Sequence, residues 1–333
     1  MNTPMNTLVT GGAGYIGSHA VAALRDAGHT PVVLDNLFQG HREAVPNDVV
    51  FAELDLRQTD EIEALLRKQH IDSVMHFAAL ATVADSMVDP LSFYSNNTAG
   101  TLSLLQAMDR VGIRRLVFSS TCATYGQPDE VPITEDAPQR PISPYGKSKL
   151  FVEGILLDYA AANDAFAFAA PRYFNVAGCR LDGSIGEDHD PESHIIPLLL
   201  QTALGQRPHF TIFGEDYDTP DGTCVRDYIH VDDLVGAHVA ALEALRDGDR
   251  RFYNLGIGQG MSVKQIVDAA LKVTGRDIEI RTGPRRPGDP PYLFANPEKI
   301  QRELGWKPKT TDVEEIVASA WRWFAANPDG YGS

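Results

Sequence analysis

Tyr145 and Lys149 stand four residues apart in the run Pro144-Tyr145-Gly146-Lys147-Ser148-Lys149. If this run opens a helix, both side chains lie on one face, a turn apart. A free tyrosine titrates near a pH of about 10 and is a poor base at neutrality. A lysine ammonium beside the phenol, with a second cation close by, favours the phenolate. Bringing the tyrosine to about 7 takes roughly 4 kcal/mol of differential stabilisation, within reach of a closed site. The pair then reads as a general base that takes a proton from a hydroxyl. The same spacing also arises by chance on surface helices, so its meaning depends on what surrounds it.

Two other stretches supply that context. Leu116-Val117-Phe118-Ser119-Ser120-Thr121 reads as a buried parallel strand whose carboxyl end carries Thr121 into a crevice, where it can meet the same hydroxyl. Near the start, the strand Thr7-Leu8-Val9-Thr10 runs into Gly11-Gly12-Ala13-Gly14-Tyr15-Ile16-Gly17 and then a helix. A glycine-rich turn in that setting brings backbone close to a pyrophosphate at the positive end of the helix. The second strand ends in Asp35-Asn36, where an acid binds adenosine ribose hydroxyls and repels a 2′-phosphate, favouring NAD over NADP. Asp55 follows a third strand and can meet the adenine amino group. His76-Phe77 closes a fourth, and Ala78 after it lets backbone approach the cofactor. Asn97 interrupts a long helix from Pro90 to Val111, which marks it for a polar role.

Strand–helix alternation of this kind predicts an α/β fold: a Rossmann-type doubly wound parallel sheet, with ligand at the carboxyl ends of its strands. We expect residues 1–177 to form the NAD-binding domain. Residues 178–333 mainly form a smaller α/β lobe that binds substrate, interleaved with the first domain.

Composition narrows the partners. The chain has 333 residues, 43% of them hydrophobic, and a formal net charge of −16, which argues against nucleic acid or anionic membrane. Three widely spaced cysteines and a short polar start without a signal peptide point to the cytoplasm. No run reaches the length of a spanning helix. Asp188-His189-Asp190 is the one cluster with a hint of metal; the reading here is a solvated loop and no metal.

Together these motifs resemble the extended short-chain dehydrogenase/reductases, and within them the UDP-glucose 4-epimerase family. The resemblance covers nearly the whole chain. It is carried by Val9 to His19, Leu34-Asp35-Asn36-Leu37, Ser143 to Lys149, Arg172-Tyr173-Phe174-Asn175 and Gly222 to Val231. It implies an isomerase that interconverts UDP-glucose and UDP-galactose through a 4-keto intermediate on tightly bound NAD, in galactose metabolism. Tyr145, Lys149 and Thr121 would be catalytic. Gly11, Gly14, Tyr15, Ile16, Asp35, Asn36, Asp55, Leu56, Phe77, Ala78, Asn97, Tyr145, Lys149 and Tyr173 would bind the cofactor. Thr121, Tyr145, Asn175, His194, Arg226, Arg286, Asp289 and Leu293 would bind the sugar nucleotide, with the arginines clamping its diphosphate.

A homodimer built on the helices near Pro90–Val111 and Tyr145–Ala161 is usual in the superfamily. Three departures stand out. Ala81 replaces a frequent lysine and removes a ribose contact. His194 stands where some members have Asn, and Leu293 where some have Tyr. A smaller group at the last position admits N-acetylated sugars, so UDP-N-acetylhexosamines, UDP-pentoses and UDP-uronates stay open as substrates. A 4,6-dehydratase would carry an Asp-Glu pair after Thr121, where this chain has Cys122-Ala123. A non-catalytic NAD sensor would have lost the Tyr145–Lys149 pair.

Overall fold

A computed structural model describes residues 3–286 and 289–332; Met1 and Asn2 of the polar start, Pro287 and Gly288 of the basic loop, and Ser333 lie outside the described residues. Its centre is a parallel sheet. The strand order is Arg250–Leu255, Ala167–Tyr173, Arg115–Phe118, Ser73–His76, Asn6–Thr10, Thr30–Asp35 and Val50–Glu53. A two-residue strand, Ser120–Thr121, also pairs with Ala167–Tyr173.

The apolar runs explain why the sheet is buried on both faces. Leu8, Val32, Leu34, Val74, Leu116, Phe118 and Phe168 point into one core. Their chain neighbours Val9, Val33, Met75, Val117 and Ala169 point into the other. Each fully buried Val, Leu or Phe contributes about 1.5–3 kcal/mol, so a strand apolar at every position holds two layers of helices. Helices Thr59–Lys68, Gly100–Val111 and Pro144–Ala162 cover the first face, and Tyr15–Asp26 and Val231–Ala244 cover the second.

A second cluster gathers Ile196, Leu199, Leu200, Phe210, Ile212, Ile266, Ile316, Val317 and Trp323 from later segments. It joins helices Ile195–Ala203, Val263–Thr274 and Val313–Ala326 to short sheets. The helix Val263–Thr274 starts at the expected cap: Ser262 accepts from Gln265 N, and the Gln265 side chain answers in a capping box.

Two expectations change. The segment Pro90–Val111 is not one regular helix. An α-helical turn, Pro90–Phe93, passes into a π-helical stretch, Tyr94–Ala99, before Gly100–Val111 resumes the α form. The π stretch forms around Asn97, whose buried amide is occupied by the neighbouring loop and helix. The strand Arg250–Leu255 has no counterpart among the sequence expectations. It pairs in parallel with six residues of its neighbour, from Arg250↔Phe168 to Leu255↔Tyr173. A charged run, Arg246 to Arg251, overlaps its start and masks the short apolar run behind it.

Candidate active site

The strand Asn6–Thr10 lies between Ser73–His76 and Thr30–Asp35, so successive crossovers leave in opposite directions at its carboxyl end. A crevice opens at such a switch point. Here it widens into a cavity of about 1910 Å³ that runs from the glycine loop to the second core.

The glycine loop shapes one end. Gly11 has φ +71°, and a Cβ there would lie 2.6 Å from Ala78 N; at Gly17 it would lie 1.9 Å from Gly11 O. Those two glycines are required by close backbone packing. At Gly14 a Cβ would meet nothing of the protein closer than 3.4 Å, yet the residue lines the cavity. The packing of the chain by itself does not require glycine at this position. Gly14 caps the helix Tyr15–Asp26 with no side-chain partner, leaving first-turn N–H groups for an anion.

Asp35 is fixed by Ala13 N on Oδ2 and Leu37 N on Oδ1, both at 2.9 Å. A carboxylate has about four acceptor positions, so roughly two remain for ribose hydroxyls. Asn36 donates to Asp55, and Arg57 grips Asp55 through two nitrogens at 2.7 and 2.8 Å. That grip holds the Asp55 carboxyl at about 2, well below its ordinary range.

Thr121, Tyr145 and Lys149 line the middle of the cavity. Ser143 caps the helix Pro144–Ala162 by accepting from Gly146 N, and Pro144 occupies its first turn. Tyr145 and Lys149 therefore share one buried face. Tyr145 packs edge-on against Phe93. Burial drives its phenol above the usual value, as does nearby Tyr173; the neighbouring Thr121 hydroxyl pulls it back part of the way. Lys149 Nζ donates to the Ser119 carbonyl at 2.9 Å and lies over the Phe118 ring. Burial lowers the ammonium to about 7.

The expected lowering of the tyrosine by Lys149 is thus corrected. Burial is the largest influence on the Tyr145 phenol in the chain by itself, and Lys149 is not among the groups that shift it. Ser119, absent from the residues singled out in the sequence, links the group: its hydroxyl is 2.6 Å from Tyr173 Oη while its carbonyl holds Lys149. One residue before Thr121, the Ser120 hydroxyl donates at 2.6 Å to Glu153. Glu153 in turn forms a buried ion pair with Arg172 at 2.7 Å.

The far end belongs to the second core. Arg226 and Leu293 are register partners on adjacent strands, which sets the arginine beside the leucine. Arg226 lies 3.5 Å from Asp289, and Arg286 stacks over the Phe213 ring at 4.4 Å. Asn175 enters from the strand Asn175–Ala177, paired with Tyr228.

Residues 7–256 match the model of the NAD dependent epimerase/dehydratase family. The chain belongs to that family. It is 50% identical over 330 residues to the UDP-glucose 4-epimerase of Streptococcus mutans, covering 98% of this chain and 99% of that one. Identity to the UDP-glucose 4-epimerase of Lacticaseibacillus casei is 49% over 329 residues, 98% and 99% of the two chains. A solved UDP-glucose 4-epimerase superposes with a TM-score of 0.95 at 47% identity, covering 98% of this chain and 100% of the other. The Stenotrophomonas maltophila UDP-glucose-4-epimerase with bound NAD and formylated UDP-arabinopyranose superposes at 0.94 and 41% identity, covering 97% and 99%.

Among the site residues expected of an epimerase/dehydratase, the cavity wall brings together Gly11, Gly14, Tyr15, Ile16, Asp35, Asn36, Asp55, Leu56, Phe77, Ala78, Thr121, Tyr145, Lys149, Tyr173, Asn175, His194, Arg226, Arg286, Asp289 and Leu293. Ala81 is on it too. Asn97 does not line it. Its Oδ1 accepts from Leu80 N at 2.8 Å, and its Nδ2 donates to Leu80 O and to Ser148 Oγ. Asn97 therefore ties the loop after Ser73–His76 to the helix Pro144–Ala162, while its neighbour Asn96 reaches the cavity.

The loop around Asp188-His189-Asp190 is more than a solvated turn. Asp188 accepts from Tyr331 N, and its backbone carbonyl lies 3.0 Å from His41 Nε2. Glu187, His189, Glu192 and His194 turn their donor atoms toward one another. Alternation at 187, 189, 192 and 194 becomes visible only when the loop is folded.

Proposed function

We propose that this chain is an isomerase that reversibly 4-epimerises UDP-glucose and UDP-galactose with NAD as its cofactor, in galactose metabolism. The observation that carries the reading is one cavity holding three things in line. They are an open cradle at Gly14 with Asp35 behind it, the Thr121–Tyr145–Lys149 group, and the Arg226–Leu293 strand pair. The cradle and the free lone pairs of Asp35 fit a dinucleotide held by Gly11, Gly14, Tyr15, Ile16, Asp35, Asn36 and Asp55. When bound, NAD supplies a reversible hydride acceptor and a positive charge.

The chain's own residues do the rest. Tyr145 takes the proton of the sugar 4-hydroxyl, and Thr121 orients that hydroxyl. Lys149, anchored on Ser119, keeps two further N–H donors for its ligands. Arg226 and Arg286 clamp the diphosphate, Arg226 steadied by Asp289. Asn175 bonds the diphosphate or the sugar. Leu293 offers the hexose an apolar side chain, which leaves a 4-keto sugar room to turn and present its other face.

Mixing the purified protein with UDP-galactose, adding no NAD, and following anomeric protons by NMR tests this. UDP-glucose should accumulate toward an equilibrium mixture. No change, even with added NAD, would overturn the reading.

The protein's parts divide as residues 1–177 for cofactor and 178–333 mainly for substrate. Arg250–Leu255 and Val231–Ala244 return from the second part to complete the first. Among the described residues no helix is long and apolar enough to cross a membrane. The three free cysteines favour the cytoplasm. A homodimer is supported by an apolar face beside the catalytic helix, where Val88, Leu91, Met87 and Phe151 are 86, 78, 63 and 54% exposed.

A further inference from the structure

The segment between Ile185 and the helix Ile195–Ala203 is pinned from outside. Gly186 lies flat against the Trp323 ring, where a Cβ would come within 2.0 Å, and Tyr331 Oη accepts from Gly186 N at 2.9 Å. With its start fixed, the loop turns Glu187, His189, Glu192 and His194 inward, and one donor atom of each lies within 4.8 Å of the others.

The spacing has a geometric meaning. His194 Nδ1 is 3.0 Å from both Glu187 Oε1 and Glu192 Oε1. His189 Nδ1 is 3.3 Å from Glu187 Oε1 and 3.7 Å from Glu192 Oε2. A tetrahedral ion with ligand bonds of about 2.0–2.1 Å has edges of roughly 3.3–3.4 Å between its donors. The four nitrogen–oxygen edges bracket that value. Hydrogen bonding accounts for one of these contacts, His194 Nδ1 to Glu192 Oε1, and not for those of His189. Glu187 Oε1 and His189 Nδ1 are buried without a well-directed partner, and the Glu187 side chain is only 3% exposed. Glu192 is held ready by Ser193 N and His194 N, both on Oε1.

We propose that Glu187, His189, Glu192 and His194 bind a divalent cation of the zinc class. Two imidazoles and two carboxylates form a borderline donor set that suits Zn²⁺, and the two carboxylates cancel its charge, which offsets the cost of burying Glu187. Four protein ligands close the coordination sphere, so the site is structural. It fixes one wall of the cavity. Glu187, His189 and His194 line that wall, and the His189 ring meets Tyr15 of the glycine loop edge-on at 6.1 Å. The ion would join the substrate-side loop to the cofactor-side turn.

The test uses the full chain with any affinity tag removed, dialysed against metal-free buffer. Metal analysis should find about one zinc-class ion per chain. After chelation, added Co²⁺ should give the visible absorption of a tetrahedral site, and Zn²⁺ should displace it. The His189→Gln/His194→Gln variant should lose that absorption. Glu192→Gln, which keeps the shape of the side chain, should weaken Co²⁺ binding roughly 10–100-fold. Circular dichroism checks that each variant is folded. If the unaltered chain neither retains metal nor binds Co²⁺ tetrahedrally, the site does not exist. Unchanged Co²⁺ absorption in a folded Glu192→Gln chain and in the double variant places the ion elsewhere and overturns the assignment.

Discussion

Lys149 holds the Ser119 carbonyl, 2.9 Å away, with the phenol of Tyr145 one helical turn behind it. Burial lowers the ammonium to about 7, which leaves its charge sensitive to pH; on the proposed function that charge favours the phenolate of Tyr145. Tyr145→Phe should lower turnover by about 10²–10⁴-fold while UDP binding persists. Lys149→Met should move the acid limb of the kcat/KM profile to higher pH, because the phenolate loses a cationic neighbour. A uniform drop at every pH would show that Lys149 acts only as a prop.

The Arg172–Glu153 pair is almost fully enclosed, with 4 and 2% of the side chains exposed. Both Glu153 oxygens accept from the guanidinium, which also stacks on Phe252 at 4.7 Å. Arg172→Met leaves a carboxylate buried without its partner and should cost about 3–5 kcal/mol in denaturant unfolding. Adding Glu153→Leu should return most of that loss. If the double variant is no better than the single, the pair is not what stabilises this layer.

Several histidines are buried in the neutral form. His76 lies between Thr10 and Thr101 hydroxyls, 2.6 and 2.8 Å away, and burial lowers it to about 3. His230 and His238 are lowered to about 4 for the same reason. The unfolded chain takes up these protons near a pH of about 6.5, the folded chain only well below it. Stability from this source is complete above about 6.5 and is lost as pH falls toward 4, by up to about 1.4 kcal/mol per pH unit for each group. The urea midpoint should fall clearly between pH values of about 7.5 and 5, and His76→Gln should flatten the slope. Equal midpoints at both pH values would contradict this.

Leu293 sits in register with Arg226 and lines the cavity; on the proposed function it borders the sugar beside the diphosphate. Leu293→Gly should raise turnover of UDP-N-acetylgalactosamine relative to UDP-galactose, and Leu293→Tyr should lower it. The ratio of kcat/KM values reads this directly. A ratio unmoved by both changes would remove Leu293 from the sugar site.

The exposed Leu91 and Phe151 lie on the two elements expected to pair across a dimer. Sedimentation equilibrium should give twice the chain mass. Leu91→Glu with Phe151→Glu should give the single mass with the far-ultraviolet circular dichroism unchanged.

The parts legible in the sequence share a short-range cause. Val32-Val33-Leu34 and Leu116-Val117-Phe118 are apolar at every position, which suits only strands buried on both faces. Ser143-Pro144 and Ser262 with Gln265 mark helix starts by local bonding. What is hidden depends on distant pairing. Arg250–Leu255 is a strand because Ala167–Tyr173 offers it an edge. Asn97 reads as a ligand contact because nothing nearby in the chain reveals Leu80 and Ser148 as its partners. Glu187, His189, Glu192 and His194 converge in a loop held by residues far along the chain, Trp323 and Tyr331 at Gly186 and His41 at Asp188.

The cavity is bounded by two hydrophobic clusters built from different helices and sheets. Each is a body able to loosen at its own free energy. On the proposed division into residues 1–177 for cofactor and 178–333 mainly for substrate, the two halves would be separately adjustable. On that reading, changes around Phe210, Ile266 or Trp323 should alter sugar-nucleotide preference while the central sheet keeps its amide protection. One fold can in this way acquire new sugars without rebuilding its chemistry.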